Sequence, residues 1–346
     1  MKTLPAPAPT ALTGSPVVLD LCAGPGGWDE GARILGLPHR IAGVELNEAA
    51  AATATAAGHH RILGDITAID PADWSHATGL IASTPCPTFS SSGKRTGTGV
   101  DYQTVLDVIT HLGAHDCDCT WEQIQDELGT VTDVRTALAA QPARLALSPA
   151  MESLEWLVLE QVPAAEFMFE DFASELFSAG WESVDVGVID AVDFGMPVRR
   201  KRAFLVANRY GTASLPLGLD GPGRTMASAL GWGPGERVNT RGAMSSGGNE
   251  FSADAPSWCL TGSARSWRRV SDRAQLTLQE ASVLQGFRGD YPFTGSRSAA
   301  FKQVADVVLP PVAASVLAGA MGLDWEEQVS AYLAGLYDAD RVSVAA

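Results

Sequence analysis

The sequence predicts a doubly wound α/β fold with a second, smaller and loop-rich unit. Short apolar runs alternate with helical stretches through the first half of the chain. The first run ends in a glycine-rich turn at residues 22–27, as in sheets that bind ligands at the carboxyl ends of parallel strands. From about residue 210 to residue 271 Gly, Pro, Ser and Arg dominate and both periodicities fade, which indicates a separate unit.

The individual elements follow in chain order from the same patterns. The first strand is predicted at Val17–Leu21, directly before the glycine-rich turn. Further strands are predicted at 40–45, 61–63, 80–83, 154–159, 184–189 and 203–207. Helical periodicity predicts helices at 28–35, 48–57, 277–287, 309–321 and 325–337.

These elements divide the chain into four parts. We expect a flexible N-terminus at 1–16, a main domain at 17–210 plus 273–322, a small domain at 211–272, and a C-terminal helix and tail at 323–346. The stretch 103–143 is interpreted as a helical insertion in the main domain. The order helix, turn, helix is typical of an element that contacts DNA. A helical decoration that does not contact DNA is at least as probable, because the second helix has just one basic residue, Arg135.

The charge distribution favours a nucleic-acid partner in spite of a net charge of −16. Residues 199–273 carry 12 Lys and Arg against 5 Asp and Glu, whereas the rest of the chain is strongly acidic. A basic segment on an acidic body is expected of a phosphate-contacting surface confined to one part of a fold. A chance cluster on a solvated loop is the alternative.

Composition argues against several other classes of protein. The N-terminus lacks the apolar core of a signal peptide, and we find no run of about 18 apolar residues to predict a membrane span. Five unevenly spaced cysteines do not predict a disulfide framework, so a reducing cytoplasm is the expected compartment. His111, His115, Cys117 and Cys119 lack the spacing of a structural zinc site, and no metal is expected.

The glycine-rich turn and two acidic residues predict a site for an adenosine-type cofactor. Glycines let the backbone approach a ligand and expose N–H groups at a helix start. Glu45 follows about 20 residues later at the end of the next strand, where a carboxylate can accept from ribose hydroxyl groups. Asp65 could accept from an adenine amino group. Either acid alone could instead cap a helix or a turn.

Cys86 stands between Pro85 and Pro87 in a loop that follows a predicted strand. The prolines fix the loop and present the thiol, which predicts a nucleophile, although an isolated cysteine is more often an inert small hydrophobe. Hydroxyl and basic side chains that favour thiolate and phosphate contact follow it, namely Ser90, Ser91, Ser92, Lys94 and Arg95.

Segments from residue 17 to residue 320 resemble the motifs of the cytosine-C5 DNA methyltransferases, in the order of that family. They are DLCAGPGGW at 20–28, VELNEAAAATATAAG at 44–58, GDIT at 64–67, STPCPTFSSSGKR at 83–95, LEQVP at 159–163, FGMPVRRKRAFLVANR at 194–209, DAPSWCLTG at 254–262, LTLQEASVLQGF at 276–287 and FKQVADVVLPPVAAS at 301–315. The resemblance implies a Rossmann-like class I methyltransferase domain with a small target-recognition domain.

It also implies a chemistry. Cys86 attacks C6 of a cytosine flipped out of double-stranded DNA, and C5 takes a methyl group from S-adenosyl-L-methionine. Glu160 holds the N3 edge of the base and stabilises the protonated adduct. Arg202 contacts O2 and orients Glu160, and Arg200 helps to place the nucleophile loop.

Further residues are assigned by the same resemblance. The implied cofactor residues are Asp20, Cys22, Ala23, Gly24, Gly26, Gly27, Glu45, Leu46, Asp65, Ile66, Pro85, Asp306 and Val308. The expected nucleic-acid contacts are Ser90, Ser92, Lys94, Arg95, Arg224, Arg237, Arg241, Arg265, Arg268 and Arg269. The predicted recognition domain is short, which favours a short or relaxed target sequence.

The sequence departs from the family pattern at five positions. Gln161 stands for the usual Asn, Val198 for Gln, Ala305 and Asp306 for Gly and Asn, and Cys22 for Phe. None removes a group that bonds covalently to the base.

Two other functions stay open: a methyltransferase acting on cytosine in RNA such as tRNA, and a DNA-binding relative with impaired catalysis. A monomer in a bacterial or phage-infected cell is expected, with a paired restriction endonuclease as a candidate partner.

Overall fold

The computed structural model describes residues 17–37, 40–85, 100–113, 121–131, 133–221, 223–240 and 249–337. Its centre is a seven-stranded sheet with the spatial order β3-β2-β1-β4-β5-β7-β6. The strands are β1 (Val17–Leu21), β2 (Arg40–Glu45), β3 (His60–Leu63), β4 (Ala77–Ala82), β5 (Trp156–Gln161), β6 (Ser183–Asp190) and β7 (Lys201–Asn208). Strands β1 to β5 pair in parallel, and β7 runs antiparallel to both β5 and β6.

Helices cover both faces of this sheet. In chain order they are α1 (Gly27–Ile34), α2 (Glu48–Ala56), α3 (Val100–Gly113), α4 (Trp121–Leu128), α5 (Val134–Ala137), α6 (Gln141–Ala146), α7 (Glu166–Ser178), α8 (Met226–Leu230), α9 (Leu278–Leu284), α10 (Arg297–Asp306), α11 (Pro310–Met321) and α12 (Glu326–Leu336). Helices α1, α11 and α12 pack on one face, and α3, α6 and α7 pack on the other. The predicted doubly wound α/β fold is therefore confirmed.

Alternation along the strands divides the core between the two faces. Val18, Ile81, Val158 and Phe204 face α1 and α11, whereas Leu19, Leu80, Leu157 and Leu205 face α3 and α7. Each of these side chains is 0% or 1% exposed. Because the central strands are buried on both faces, their sequences are almost continuously apolar.

Several of the predicted elements differ from the structure. The fifth strand begins and ends two residues later than expected, because a 3₁₀ turn at Pro149–Met151 precedes it and the N–H of Leu154 donates to the carbonyl of Met151. The strand therefore includes Glu160 and Gln161. The fourth strand begins three residues earlier than expected, at Ala77. Helices α7 and α10 were not predicted; α10 follows the N-cap Ser296, whose hydroxyl accepts from the N–H of Ala299.

The run Arg297–Met321 bears on the expectation that the chain has no membrane span. It is long and apolar enough to cross a membrane by length and composition. However, 83% of its apolar window is buried inside the protein, because α11 packs against α1 and the central sheet. Its composition reflects its place in the core.

The helical insertion covers the sheet face that α7 shares. Val105, Val108 and Ile109 of α3 are at most 1% exposed, and the Tyr102 hydroxyl donates to Asp171 of α7. The predicted helix pair exists as α4 and α5, but α5 has only four residues. Arg135, its one basic side chain, forms an ion pair with Asp133 at 2.7 Å.

The segment 211–272 contains a second sheet with the order β10-β8-β9, formed by β8 (Arg237–Asn239), β9 (Glu250–Ser252) and β10 (Arg268–Arg269). Its buried side chains, including Val238, Phe251 and Trp267, join the same apolar cluster as α11. The first residues of this segment pack against the main domain. The N–H of Ser214 donates to the carbonyl of Gly319 in α11. The target-recognition role of this segment stays a prediction.

Candidate active site

Most of the predicted site residues that the structure describes meet at one edge of the central sheet. β1, β2, β4 and β5 all end there, and the strand order reverses between β1 and β4. β7 begins at the same edge because it runs antiparallel to β5, with Glu160 opposite Phe204. Such a reversal leaves a crevice beyond the strand ends, where α/β sheets bind ligands.

The glycine-rich turn is sharply bent. Cys22 and Gly24 have left-handed φ angles of 58° and 56°. Gly27, the first residue of α1, lies very close to the segment after α10. A Cβ on residue 27 would lie 2.1 Å from the carbonyl oxygen of Val308. Only glycine permits this contact, which joins two predicted cofactor residues.

Glu45 closes the turn from the neighbouring strand. The N–H of Gly24 donates to Glu45 Oε2 at 2.8 Å, and the N–H of Asn47 donates to Oε1 at 2.7 Å. Leu46 beside it is 52% exposed. Asp65 behaves as the alternative interpretation expected: it caps the 3₁₀ turn Ile66–Ala68 and accepts from the N–H of Thr67 at 3.0 Å.

Asp20 is a buried carboxyl group without a hydrogen-bond partner among the described residues. It is 0% exposed, and burial raises its pKa well above the ordinary value, an effect that nearby Arg61 opposes. Burial also raises the pKa of the Cys22 thiol, and Glu45, Asp20 and Asp65 raise it further. An acidic pocket therefore surrounds the turn.

Arg61 and Tyr291, which the sequence did not predict as part of the site, donate hydrogen bonds to backbone carbonyls of the glycine-rich turn. Arg61 donates to the carbonyls of Gly24 and Ala23 at 3.2 and 3.3 Å and pairs with Asp29 at 2.5 Å. The Tyr291 hydroxyl donates to the carbonyl of Pro25 at 2.6 Å. The one sequence signal was Gly43 in the middle of β2, where a Cβ would lie 2.4 Å from the Arg61 guanidinium.

Glu160 and Arg202 form an ion pair at the ends of β5 and β7, with 3.0 Å between Arg202 Nε and Glu160 Oε1. Glu160 is 8% exposed. Burial raises the pKa of Glu160, and the positive charges of Arg202 and Arg200 oppose that rise. The predicted partnership of Glu160 with Arg202 is thus present in the geometry.

Gln161 ties the end of β5 to the segment that leads to the predicted nucleophile. Its side-chain N–H donates to the carbonyl of Thr84 at 3.0 Å, and its Oε1 accepts from the N–H of Val162 at 2.8 Å. A crevice lined by Thr84, Glu160 and Ile109 of the insertion opens beside this contact.

Arg200 contacts the C-terminal part of the chain. It is 3% exposed and donates to the carbonyls of Ala305, Asp306 and Val307 at 2.6, 3.2 and 3.0 Å. Burial lowers its pKa to about 10. The side chain of Asp306 pairs with Lys302 on the surface, so Asp306 presents its carbonyl to this network. The expected role of Arg200 toward the nucleophile loop stays a prediction.

Several predicted residues lie outside the described part of the chain. They are Cys86, Ser90, Ser92, Lys94, Arg95 and Arg241. Pro85 is the last described residue before that gap and is exposed.

The described arginines of the predicted nucleic-acid surface all have intramolecular partners. Arg224 donates to the carbonyl of Gly195 at 3.1 Å and lies over the Tyr337 ring. The other pairs are Arg237 with Glu250, Arg265 with the carbonyl of Gly262, Arg268 with the carbonyl of Arg273, and Arg269 with Asp272. Arg224 is the most firmly held, which favours a structural role for it.

Comparison with known proteins agrees with this architecture. Residues 17–114 match the family model described as C-5 cytosine-specific DNA methylase. No curated protein matches the chain.

Solved structures share the fold across most of the chain. A DNMT2 mutant from Spodoptera frugiperda is 14% identical with a TM-score of 0.61, covering 89% of this chain and 100% of its own. The methyltransferase EhMeth of Entamoeba histolytica is 11% identical with a TM-score of 0.62, covering 90% and 99%. A candidate DNA modification methyltransferase from prophage Cp of E. coli is 16% identical with a TM-score of 0.54, covering 89% and 99%.

The resemblance to the cytosine-C5 methyltransferases is thereby confirmed over residues 17–114. That segment contains the glycine-rich turn, Glu45, Asp65 and Cys86. Glu160, Arg200 and Arg202 follow that segment, and their assignment to the site rests on the contacts described above.

Proposed function

We propose that this chain transfers a methyl group to C5 of cytosine in double-stranded DNA, with Cys86 as the nucleophile. The observation that carries the proposal is the Glu160–Arg202 ion pair. It lies beside Thr84, two residues before Cys86, because Gln161 hydrogen-bonds to the carbonyl of Thr84. A buried acid and a cation are thus held next to the segment that precedes Cys86 in the sequence.

The residues of the glycine-rich turn fit S-adenosyl-L-methionine. The unpartnered carboxyl of Asp20 and the acidic pocket suit a cofactor with cationic groups. The exposed side chain of Leu46 offers an apolar surface next to Glu45. Asp65, Ile66, Pro85 and the carbonyl side of Asp306 and Val308 would complete the pocket. When bound there, the cofactor supplies an electrophilic methyl group for C5.

The remaining chemistry depends on the chain's own groups. The Cys86 thiolate would form a bond to C6 and make C5 electron-rich. Glu160, whose pKa is raised by burial, would donate a proton to N3 and so neutralise the charge of the adduct. Arg202 would hold O2 of the base. Loss of the C5 proton and departure of Cys86 then restore the aromatic ring. The base must leave the duplex to reach these groups.

The basic segment 199–273 supports nucleic acid as the partner, and two alternatives to the DNA enzyme follow. The similar structures include proteins named for DNMT2 and for DNA modification, so RNA is the second candidate substrate. A binding protein without catalysis is the third candidate. If the DNA enzyme is correct, a paired restriction endonuclease is a further candidate partner.

Methyl transfer from labelled S-adenosylmethionine tests the proposal. Unmodified DNA and tRNA are offered in parallel to the wild type and to Cys86→Ala. We expect label in DNA with the wild type alone, and a covalent complex with DNA containing 5-fluorocytosine, because fluorine cannot leave as a cation. Label in tRNA alone would support the RNA enzyme. Binding of DNA without transfer or trapping would favour the binding protein.

A further inference from the structure

Trp258 is a partly exposed aromatic residue that the proposed mechanism does not use. It is 41% exposed, and its ring stacks on that of Phe251 in β9, with 4.8 Å between the ring centroids and 22° between the ring planes. Phe251 is 7% exposed and meets Trp267 edge-on at 5.4 Å. The core of the second sheet therefore supports one face of the Trp258 ring, and the indole remains open to solvent on its other side.

The backbone beside Trp258 pairs with the basic turn that begins at Arg199. Val198 lies opposite Ser257 in a parallel bridge. The N–H of Ser257 donates to the carbonyl of Pro197 at 2.7 Å, and the N–H of Arg199 donates to the carbonyl of Ser257 at 2.9 Å. Side chains alternate between the two faces of extended backbone, so this register places Arg199 and Trp258 next to each other on one face.

Burial of the flanking residues agrees with this alternation. Ser257 is 0% exposed, and Sγ of Cys259 lies 3.8 Å from Nη1 of the buried Arg200. Both residues that flank Trp258 in the chain therefore point inward, whereas Trp258 and Arg199 are exposed. An open aromatic ring and an open guanidinium group thus lie side by side on the surface.

This surface adjoins the candidate active site. Arg199 comes three residues before Arg202, which forms the ion pair with Glu160. A strand that delivers its target base to Glu160 would therefore pass close to Trp258. Base flipping also opens the duplex, and it exposes base faces that stacking otherwise covers.

We propose that Trp258 and Arg199 bind an unpaired nucleotide next to the target cytosine, with its base stacked on the indole and its phosphate at the guanidinium. This inference rests on the proposed function. An aromatic face stacks on any base that has left the duplex, because every base has a flat π surface. Arginine contacts phosphate oxygens without regard to sequence. The pair therefore recognises an opened strand rather than a particular base.

The charge of the surrounding segment favours nucleic acid as the occupant of this surface. Residues 199–273 contain 12 Lys and Arg against 5 Asp and Glu, on a chain whose net charge is −16. A polyanion is attracted to such a segment and repelled by the rest of the molecule. The ring thus lies where the strand of a nucleic acid is most favourably held.

The experiment uses two single-stranded DNA oligonucleotides of equal length, one with bases throughout and one with abasic residues in its central third. Their phosphates are the same, so fluorescence anisotropy at fixed salt separates stacking from charge. Trp258→Leu retains an apolar contact for Phe251 but has no aromatic face. We expect it to bind the complete oligonucleotide about tenfold more weakly and the abasic one as the wild type does. Trp258→Phe should stay within about threefold of the wild type on both.

Two further variants complete the comparison. Arg199→Ala should weaken binding of both oligonucleotides equally, because its phosphate contact does not need a base. Phe177→Leu is the matched control, since it removes an aromatic ring that is 52% exposed in α7, outside the basic segment. It should leave both affinities unchanged.

Three results would overturn the inference. They are a wild type that does not distinguish the two oligonucleotides, an equal loss on both in Trp258→Leu, and a change of oligomeric state in Trp258→Leu with unchanged affinities, which would assign the ring to a contact between copies of the chain. Methyl transfer is measured separately. A wild type that binds through Trp258 but transfers no methyl group would overturn the proposed function instead.

Discussion

The side chain of Gln161 bridges β5 to the carbonyl oxygen of Thr84, 3.0 Å away, across 77 positions of sequence. The Oε1 atom of the same amide accepts a hydrogen bond from the N–H of Val162. Gln161 therefore connects the strand that carries Glu160 with the segment that leads to Cys86. The extra methylene relative to asparagine is used to span this distance.

Shortening Gln161 should slow the chemical step. Gln161→Asn cannot span to Thr84 and Gln161→Ala has no amide, so we expect single-turnover methyl transfer to fall about tenfold in either variant. Affinity for S-adenosylmethionine, measured by calorimetry, should stay within about twofold, because the side chain of Gln161 hydrogen-bonds to Thr84 and Val162 rather than to the glycine-rich turn. Equal losses of rate and cofactor affinity would contradict this explanation.

Glu160→Gln should abolish the alkaline limb of the pH profile together with most of the activity. The amide keeps the shape of the acid but has no titrating proton, so methyl transfer should decrease by about 10² to 10⁴. The pH dependence of the remaining rate is the measurement. A variant that keeps the wild-type limb would show that another group titrates there.

Breaking the buried pair beneath the glycine-rich turn should destabilise the whole fold. The side chains of Arg61 and Asp29 are 1% and 6% exposed, so Arg61→Met leaves the buried Asp29 carboxylate with only the His59 ring, 3.8 Å away, as an ion-pair partner among the described residues. A loss of about 3–5 kcal/mol is expected, corresponding to a melting temperature lower by roughly 10 °C. The control is Arg288→Ala, which breaks a pair whose side chains are 66% and 70% exposed. It should have little effect.

Asp20→Asn should flatten the dependence of stability on pH. The folded pKa of Asp20 is raised, so the native state retains a proton that the unfolded state releases above about pH 4. Stability contributed by neutral Asp20 is present below the unfolded pKa and decreases as pH rises toward the folded value. The variant should melt a few degrees above the wild type at pH 8 and not at pH 4. It should also bind S-adenosylmethionine more weakly.

The salt dependence of DNA binding should distinguish arginines that have intramolecular partners from exposed arginines that can contact a phosphate. Arg199 is exposed, whereas Arg224 is committed to Gly195 and Tyr337. Arg199→Ala should reduce the slope of log Kd against log salt by about one, as for one lost phosphate contact. Arg224→Ala should lower the melting temperature and leave that slope unchanged. The opposite pattern would return Arg224 to the predicted surface.

The sequence predicted those parts of the site that depend on local pattern. The turn at Gly24 and Glu45 at the next strand end could be identified because strand, glycine turn and acid lie in fixed order along the chain. The pairing of Glu160 with Arg202 came from motif resemblance, since their contact depends on the antiparallel placement of β7.

What the sequence did not predict depends on contacts across the sheet. In the sequence Arg61 is an ordinary strand residue. In the fold its guanidinium contacts Asp29 and two backbone carbonyls of the glycine-rich turn. Arg200 was assigned to the nucleophile loop, but its guanidinium donates to the carbonyls of residues 305–307, more than 100 positions away, and to Sγ of Cys259. Ser83 likewise accepts a hydrogen bond from Trp28, 55 positions away in the chain. No periodicity encodes such meetings.

The contact of Gly27 with Val308 has a consequence for synthesis of the protein. The glycine-rich turn leaves the ribosome long before Val308, its neighbour in the fold, has been added to the chain. This contact therefore cannot form until the segment after α10 has been made. A chain that ends before α10 contains Cys86 but lacks this side of the predicted cofactor pocket, so we expect such a truncated chain to bind S-adenosylmethionine poorly.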